Sequence, residues 1–211
     1  LGESIDQILA ALQNALITKI MQVGLANVNK KSNSTNNTPS AAQTQAERLM
    51  SEMQTVGADT QQYATVEQRI ISDIQAPQQN LTGLQNCWVN ASSSPTLTQA
   101  QLTVAQTGAN AAATKVIELE ALVATHNLNI ERANTSITAV QEIQTDLLLA
   151  TVAADVAAVQ VRWDAIKVAN NPRIYTKTDV TLSQQDRTTT QSNLAALASD
   201  TSARLQQCYA L

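Results

Sequence analysis

The fold of this chain is decided by residues 102–140, which read LTVAQTGANAAATKVIELEALVATHNLNIERANTSITAV. Small and apolar residues recur three and four positions apart from Leu102 to Val140, which is the spacing of a helix with one buried stripe. The register continues to Val168 without a proline anywhere along it. We therefore predict one uninterrupted helix of about 75 residues, or roughly 110 Å, from the mid-nineties to residue 170.

Three polar residues interrupt this register, namely His126, Gln144 and Thr151. We expect His126 to be a hydrogen-bonded core histidine, and the other two to fix the register of helix packing. The segment 125–136 is rich in residues that favour helix caps, so a bend or hairpin there is the alternative. Such a break would fold the chain into a compact four-helix bundle.

A second register precedes the first and predicts a helix that begins at Ala41 and ends before Pro77. Its two polar exceptions are Thr60 and Glu67. The full seam, spaced alternately by four and three residues, is Ala42, Ala46, Leu49, Met53, Val56, Thr60, Tyr63, Glu67, Ile70 and Ile74. A sustained heptad seam predicts packing along the whole length of another helix.

The flanking segments complete the domain plan. Residues 1–26 predict an N-terminal amphipathic helix, residues 27–40 a polar linker, and residues 41–211 a helical coiled-coil or bundle domain. A turn at 170–179 precedes a last helix at about 178–211. We predict an all-α fold, an elongated antiparallel helical coiled coil with one long central helix; the alternative is the compact four-helix bundle.

From Leu147 to Val161 the predicted central helix is apolar almost all round, so it needs several neighbours. The first helix, the last helix or another chain could cover it. The residues of this candidate partner-packing face are Leu147, Leu148, Leu149, Val152, Val156 and Val159.

The two cysteines, Cys87 and Cys208, are the main chemical candidates. A catalytic thiol needs a nearby base, and His126, the only histidine, lies far along the predicted helix from Cys87. Two cysteines and one distant histidine do not form a four-ligand metal site. A disulfide is the natural alternative in an exported chain, but the elongated arrangement places Cys208 beside residue 140, whereas the bundle could bring the two sulfurs together.

Composition narrows the classes of function. Charged residues make up 14% of the chain and the net charge is −4, so the sequence shows no basic face for nucleic acid. No apolar run is long enough to span a bilayer. The glutamates do not form an acid/base pair, and no cofactor motif is present, so we expect neither an enzyme nor a cofactor. A polar surface of low charge is more typical of exported proteins than of cytosolic enzymes.

The opening LGESIDQILAALQNALITKI (residues 1–20) resembles a segment of large exported proteins of unknown role from small-genome, host-dependent candidate-phylum bacteria. Their genes often lie near pilus or type IV secretion genes. The resemblance covers about 25 of the 211 residues and implies an exported or secretion-associated part, without catalytic residues. Because the first residue is Leu1, we also expect a removed leader or a longer parent chain.

These observations predict a non-enzymatic protein that is secreted or lies at the cell surface or in the periplasm. It would act as a spacer, a filament component or an adhesion module, with a protein partner or as a homo-oligomer. The alternative is a compact helical bundle that binds a partner or ligand as an accessory of a secretion or pilus system.

Overall fold

The computed structural model describes residues 40–211, and these form four helices and no strand. The helices are α1 (Ala41–Ser92), α2 (Gln99–Leu149), α3 (Ala153–Ala169) and α4 (Lys177–Tyr209). The all-α class is therefore confirmed. The predicted N-terminal helix at 1–26 and nearly all of the predicted linker at 27–40 lie outside the described residues.

Helix α1 begins where the sequence predicts but ends much later. The Ser40 hydroxyl accepts the backbone N–H of Gln43 at 3.1 Å and so caps the first turn. Pro77 lies inside the helix, which makes the predicted stop wrong. The buried face continues beyond it through Leu81, Leu84 and Trp88. Because these side chains are buried in a continuous core, their burial outweighs the roughly 3 kcal/mol that an internal proline costs.

Helix α2 is continuous through residues 125–136, so a hairpin at this point is also wrong. The predicted seam is on its inner face, where Ala112, Leu119 and Val140 are buried. The helix ends at Leu149, however, and not near residue 170. The prediction of one uninterrupted rod is therefore wrong.

The interruption is short and is fixed by the Asp155 side chain. Its Oδ2 accepts the backbone N–H groups of Thr151 at 3.0 Å and Val152 at 3.3 Å, just before α3 begins. A carboxylate in this position satisfies N–H groups that have no partner within the new helix. Three residues without helical structure, 150–152, thus separate α2 from α3.

The interruption also changes the phase of the helix. Val156, Val159 and Trp163 form the buried face of α3. The residues that continue the α2 register all lie on the exposed face: Thr151, Ala154, Ala158, Val161, Ala165 and Val168. The residues that continue the α2 register beyond Leu147 therefore do not extend its buried stripe.

Helix α3 ends at Asn170, which adopts the left-handed conformation with φ of 47°. Asparagine is one of the few residues other than glycine that tolerates this region at a helix end. Its side-chain oxygen accepts the N–H of Ile174 at 2.8 Å, and the Asn171–Pro172 peptide that follows is cis. The predicted turn is therefore present, and α4 begins at Lys177.

The chain divides into two compact units, and α1 and α2 each contribute a segment to both. Among the described residues, the first unit comprises 40–62 and 132–177, and the second comprises 63–131 and 178–211. Each unit has its own apolar core.

In the first unit, α3 packs on the beginning of α1 and the end of α2. Leu49, Ile143 and Trp163 come from the three helices and are fully buried in one core. Lys167 pairs with Glu52 at 3.2 Å, and Arg162 pairs with Asp146. Within the first unit, α3 thus supplies the third apolar face, which covers the apolar faces of α1 and α2.

In the second unit, α4 lies beside α1 and runs in the same direction. Ser183 contacts Glu67, Arg187 contacts Asp73, and Cys208 contacts Cys87. The sequence separations of these pairs are 116, 114 and 121. Because the separation stays nearly constant, the two helices are parallel along this length. Within residues 40–211, none of the helices is long and apolar enough to cross a membrane.

The change of phase in α3 can be tested with two valines of the same helix. We expect Val156→Ala to lower the free energy of unfolding by about 1.5–3 kcal/mol, because this side chain is fully buried. Val161→Ala is the matched control and should change it by less than about 0.5 kcal/mol, because Val161 is exposed. Urea unfolding of both variants measures the difference, and equal losses would contradict the assigned phase.

Candidate functional site

The second unit contains a buried polar cluster built around Glu67 of α1 and His126 of α2. Both side chains are almost fully enclosed, with 3% of their area exposed. Each occupies a seam position of its own helix, and the helix packing therefore places both in the core. The prediction that His126 is a hydrogen-bonded core histidine is confirmed.

The Glu67 carboxylate of α1 accepts hydrogen bonds from both of the other helices of this unit, α2 and α4. His126 Nδ1 and Asn129 Nδ2, both from α2, bind Glu67 Oε2, the latter at 3.3 Å. Ser183 Oγ of α4 donates to Oε1 at 2.9 Å. On its other side, His126 Nε2 faces the half-exposed Asp186 carboxylate of α4 at 3.9 Å. A buried carboxylate with several donors is the arrangement that offsets the cost of burying its charge.

The cluster favours the ionised form of both central groups. Burial is the largest influence on Glu67 and raises its pKa, but the hydrogen bonds from His126 and Ser183 and the charge of His126 outweigh it. The pKa of Glu67 is therefore lowered from its ordinary value of 4.5. The hydrogen bond to Glu67 raises the pKa of His126 above its ordinary value of 6.5, against the opposing effect of burial. Each group thus favours the charged form of the other.

The geometry of the cluster is that of a structural network. Ser183 donates to Glu67 and not to His126, so the serine has no base positioned to activate it. The two histidine nitrogens face carboxylates on opposite sides of the ring. In the part of the chain that the structure describes, no group of three or more His, Cys, Asp or Glu side chains could hold a metal ion. The cluster links three helices and so selects their axial register.

Cys87 and Cys208 form a disulfide with a Cα–Cα distance of 6.4 Å. It joins the end of α1 to the end of α4 and closes a loop with a sequence separation of 121. The elongated arrangement, in which Cys208 lies beside residue 140, is therefore wrong on this point. Because α2 ends at Leu149 and α4 runs beside α1, Cys208 meets Cys87 instead.

Trp88, next to the disulfide, packs against Gly108 of α2. A Cβ placed on Gly108 would lie 2.7 Å from the indole ring, so only glycine lets the ring approach this closely. Beside Gly108 is a cavity of about 90 Å³ with an apolar floor and a rim of Lys115, Asp200 and Arg204. This volume is well below the roughly 300–1,000 Å³ typical of small-molecule sites.

The six residues of the predicted partner-packing face are divided between the core and the surface. Leu147, Val156 and Val159 are buried in the core of the first unit, and Leu148 packs against it. Leu149 and Val152 are exposed. As a single face for another chain this set is therefore wrong, because Leu147 of α2 and Val156 and Val159 of α3 are buried in the same core.

Sequence reasoning identified the seam positions of Glu67 and His126 but not their pairing, and it missed Ser183 and Asn129. Two polar residues at buried seam positions are a signal that could have suggested a pair, because neither can be buried alone. Ser183 carries no such signal, since it stands in a polar stretch of α4.

Comparison of the chain with protein-family models, with curated proteins and with solved structures finds no match.

The Glu67–His126 couple predicts a specific dependence of stability on pH. The contribution of Glu67 is present above its ordinary pKa of 4.5 and is lost as the pH falls through its lowered pKa. The contribution of His126 is present below its ordinary pKa of 6.5 and is lost as the pH rises through its raised pKa. We expect the contribution of the pair to be greatest between pH 4.5 and 6.5 and to fall as the pH rises above 6.5.

Urea unfolding at a series of pH values measures this dependence. Glu67→Gln should flatten the decline above pH 6.5 and lower stability by about 3–5 kcal/mol between pH 4.5 and 6.5, because it breaks a buried pair. Glu118→Gln removes an exposed pair with Lys115 and is the control, with an expected loss below about 1 kcal/mol. A decline above pH 6.5 that persists in Glu67→Gln would show that other groups cause it.

The disulfide predicts a loss of stability on its removal. Cys87→Ala combined with Cys208→Ala should lower the free energy of unfolding by about 2–5 kcal/mol, because the long loop is no longer closed in the unfolded chain. Reduction of the native chain should have a similar effect, and the doubly substituted chain should not respond to reductant. Equal stability of the oxidised and reduced chains would contradict the expected contribution.

Proposed function

We propose that this chain is an exported, non-enzymatic structural or interaction protein that acts at a cell surface. The Cys87–Cys208 disulfide is the observation that carries the proposal. Disulfides persist in secreted, periplasmic and surface proteins and are rare where the cytosol keeps thiols reduced. A stable clamp between two helix ends is useful to a protein that must hold its shape outside the cell.

Two features support a non-enzymatic role. The side chains of Glu67, His126 and Ser183 are all buried between helices. A substrate could not reach them without the separation of α1, α2 and α4. His126, Asn129 and Ser183 all hydrogen-bond to Glu67, and this arrangement stabilises a register better than it activates a reactant.

Two versions of this function follow from the scaffold. In the first, the long helices α1 and α2 serve as a spacer, a filament component or an adhesion module. In the second, the chain is a helical-bundle accessory that binds a partner in a secretion or pilus system. The internal disulfide and the return of α3 favour the second version, because they fold the chain on itself rather than linking it to a neighbour.

The resemblance of residues 1–20 to exported proteins of candidate-phylum bacteria, encoded near pilus or type IV secretion genes, points in the same direction. A net charge of −4 with dispersed basic residues supports a protein partner, or a second copy of the chain, over nucleic acid.

Thiol trapping in intact cells that produce the chain tests the proposal. Cells are treated with a membrane-permeant alkylating reagent before lysis, and a matched sample is digested with protease from outside. We expect Cys87 and Cys208 to be protected from alkylation until reductant is added, and the chain to be cut by external protease. A cytosolic protein of the same cells is the control for lysis. Alkylated cysteines together with resistance to external protease would refute an exported role.

A further inference from the structure

The outward face of α3 carries a second apolar stripe that the core of its unit does not use. The stripe consists of Ala154, Ala158, Val161, Ala165 and Val168, spaced alternately by four and three residues, and all five are exposed. Val161 is 69% exposed and Val168 is 88% exposed. The spacing is that of a coiled-coil seam, which in water is stable when a partner helix covers it.

This stripe lies nearly opposite the buried face of α3. At about 100° per residue, Val156 and Trp163 point to one side of the helix and Val161 to the other. Helix α3 therefore has one apolar face toward its own core and a second apolar face toward solvent. Exposed apolar residues that form a continuous stripe mark interaction surfaces more often than scattered single ones.

We propose that the outward stripe of α3 binds the same stripe of a second copy of this chain, antiparallel about a two-fold axis. In this arrangement Ala158 of one copy lies beside Val161 of the other, and Ala154 lies beside Ala165. Four of the five members of the stripe then face an apolar partner. Val168 of each copy reaches toward Leu149 of the other, a side chain that is 71% exposed in the single chain.

The charges beside the stripe select a second copy in this orientation. Asp155 and Arg162 lie on the same edge of the stripe, seven residues apart. In an antiparallel pair, Asp155 of each copy therefore lies beside Arg162 of the other, so the ion pair can form twice. A parallel copy brings no such pair together, because the other edge has Ala157 and Asp164 at the facing positions. The self-complementary edge therefore favours a second copy over an unrelated helix.

The surface beside this edge has room for the incoming side chain. A cavity of about 380 Å³ is lined by Asp146, Leu149, Ala150, Asp155, Ala158, Val159 and Arg162. It thus lies between the turn after α2 and the Asp155–Arg162 edge of α3. In the two-fold pair each Arg162 keeps its own Asp146 and also faces Asp155 of the other copy across this cavity.

The contact is short, and the association is accordingly weak and reversible. A helix of 17 residues gives a contact about 25 Å long. Its interface is at the small end of specific interfaces, so we expect dissociation in the micromolar to millimolar range. A weak two-fold contact of this kind is suited to chains that are held close together. The proposal does not depend on where the chain is located, so it can fail without affecting the proposed function.

Sedimentation equilibrium of the oxidised, full chain over a wide range of concentrations tests the association. We expect a monomer–dimer equilibrium that Val161→Glu weakens by at least about tenfold, because a charge is then placed at the centre of the contact. Ile117→Glu, which replaces an equally exposed apolar residue of α2, is the matched control and should leave the equilibrium unchanged. Circular dichroism confirms that each variant is folded.

Cross-linking tests the orientation. An equimolar mixture of chains carrying Ala154→Cys and Ala165→Cys should form a mixed disulfide-linked dimer, because these positions face each other in an antiparallel pair. Neither variant alone should cross-link efficiently. A cross-link of Ala154→Cys with itself would indicate a parallel pair and overturn the proposal.

Three other results would overturn it as well. A chain that remains monomeric at every concentration has no such contact. A dimer that resists Val161→Glu uses another surface. A monomer that Val161→Glu destabilises has its stripe covered from within the chain.

Discussion

The reversal of the chain at residues 150–152 is the constraint on which the rest of the structure depends. The Asp155 carboxylate holds the backbone N–H groups of Thr151 and Val152, and α2 therefore ends at Leu149. Because α3 turns back, Trp163 covers the wide apolar faces of α1 and α2 in the first unit. The second unit has its own fixed points, where Ser183 lies beside Glu67 and Cys208 beside Cys87.

The second unit contains two devices that fix the position of α4 along α1. The Glu67–His126–Ser183 cluster sets the register near the beginning of α4, and the disulfide sets it near the end. Between them the helix buries few large side chains, since Thr190 and Thr201 stand at buried positions. A helix with so little apolar surface needs directional contacts to hold one register, because apolar packing alone would tolerate sliding.

The first unit is held together mainly by apolar packing. Its core is rich in large apolar side chains, and ion pairs such as Lys167–Glu52 lie at its edge. Such exposed pairs contribute less than about 1 kcal/mol each, so packing supplies most of the stability here. The outward stripe of α3 is then surplus to folding, and this is the physical reason for assigning it to association with a second copy.

The sequence by itself determined the helical class, the start of α1, the seams of α1 and α2 up to Leu147, and the core position of His126. These depend on periodicity, which a helix expresses wherever it packs. Only the tertiary structure decided the reversal at 150–152, the continuation through Pro77, and the pairing of Glu67 with His126 and of Cys87 with Cys208. Alanine and valine at seam spacing can form either a buried or an exposed stripe. The periodicity therefore could not reveal that α3 buries a different face from the one that continues the α2 register. That choice depends on which face meets Leu49 and Ile143, and only the folded chain brings these residues together.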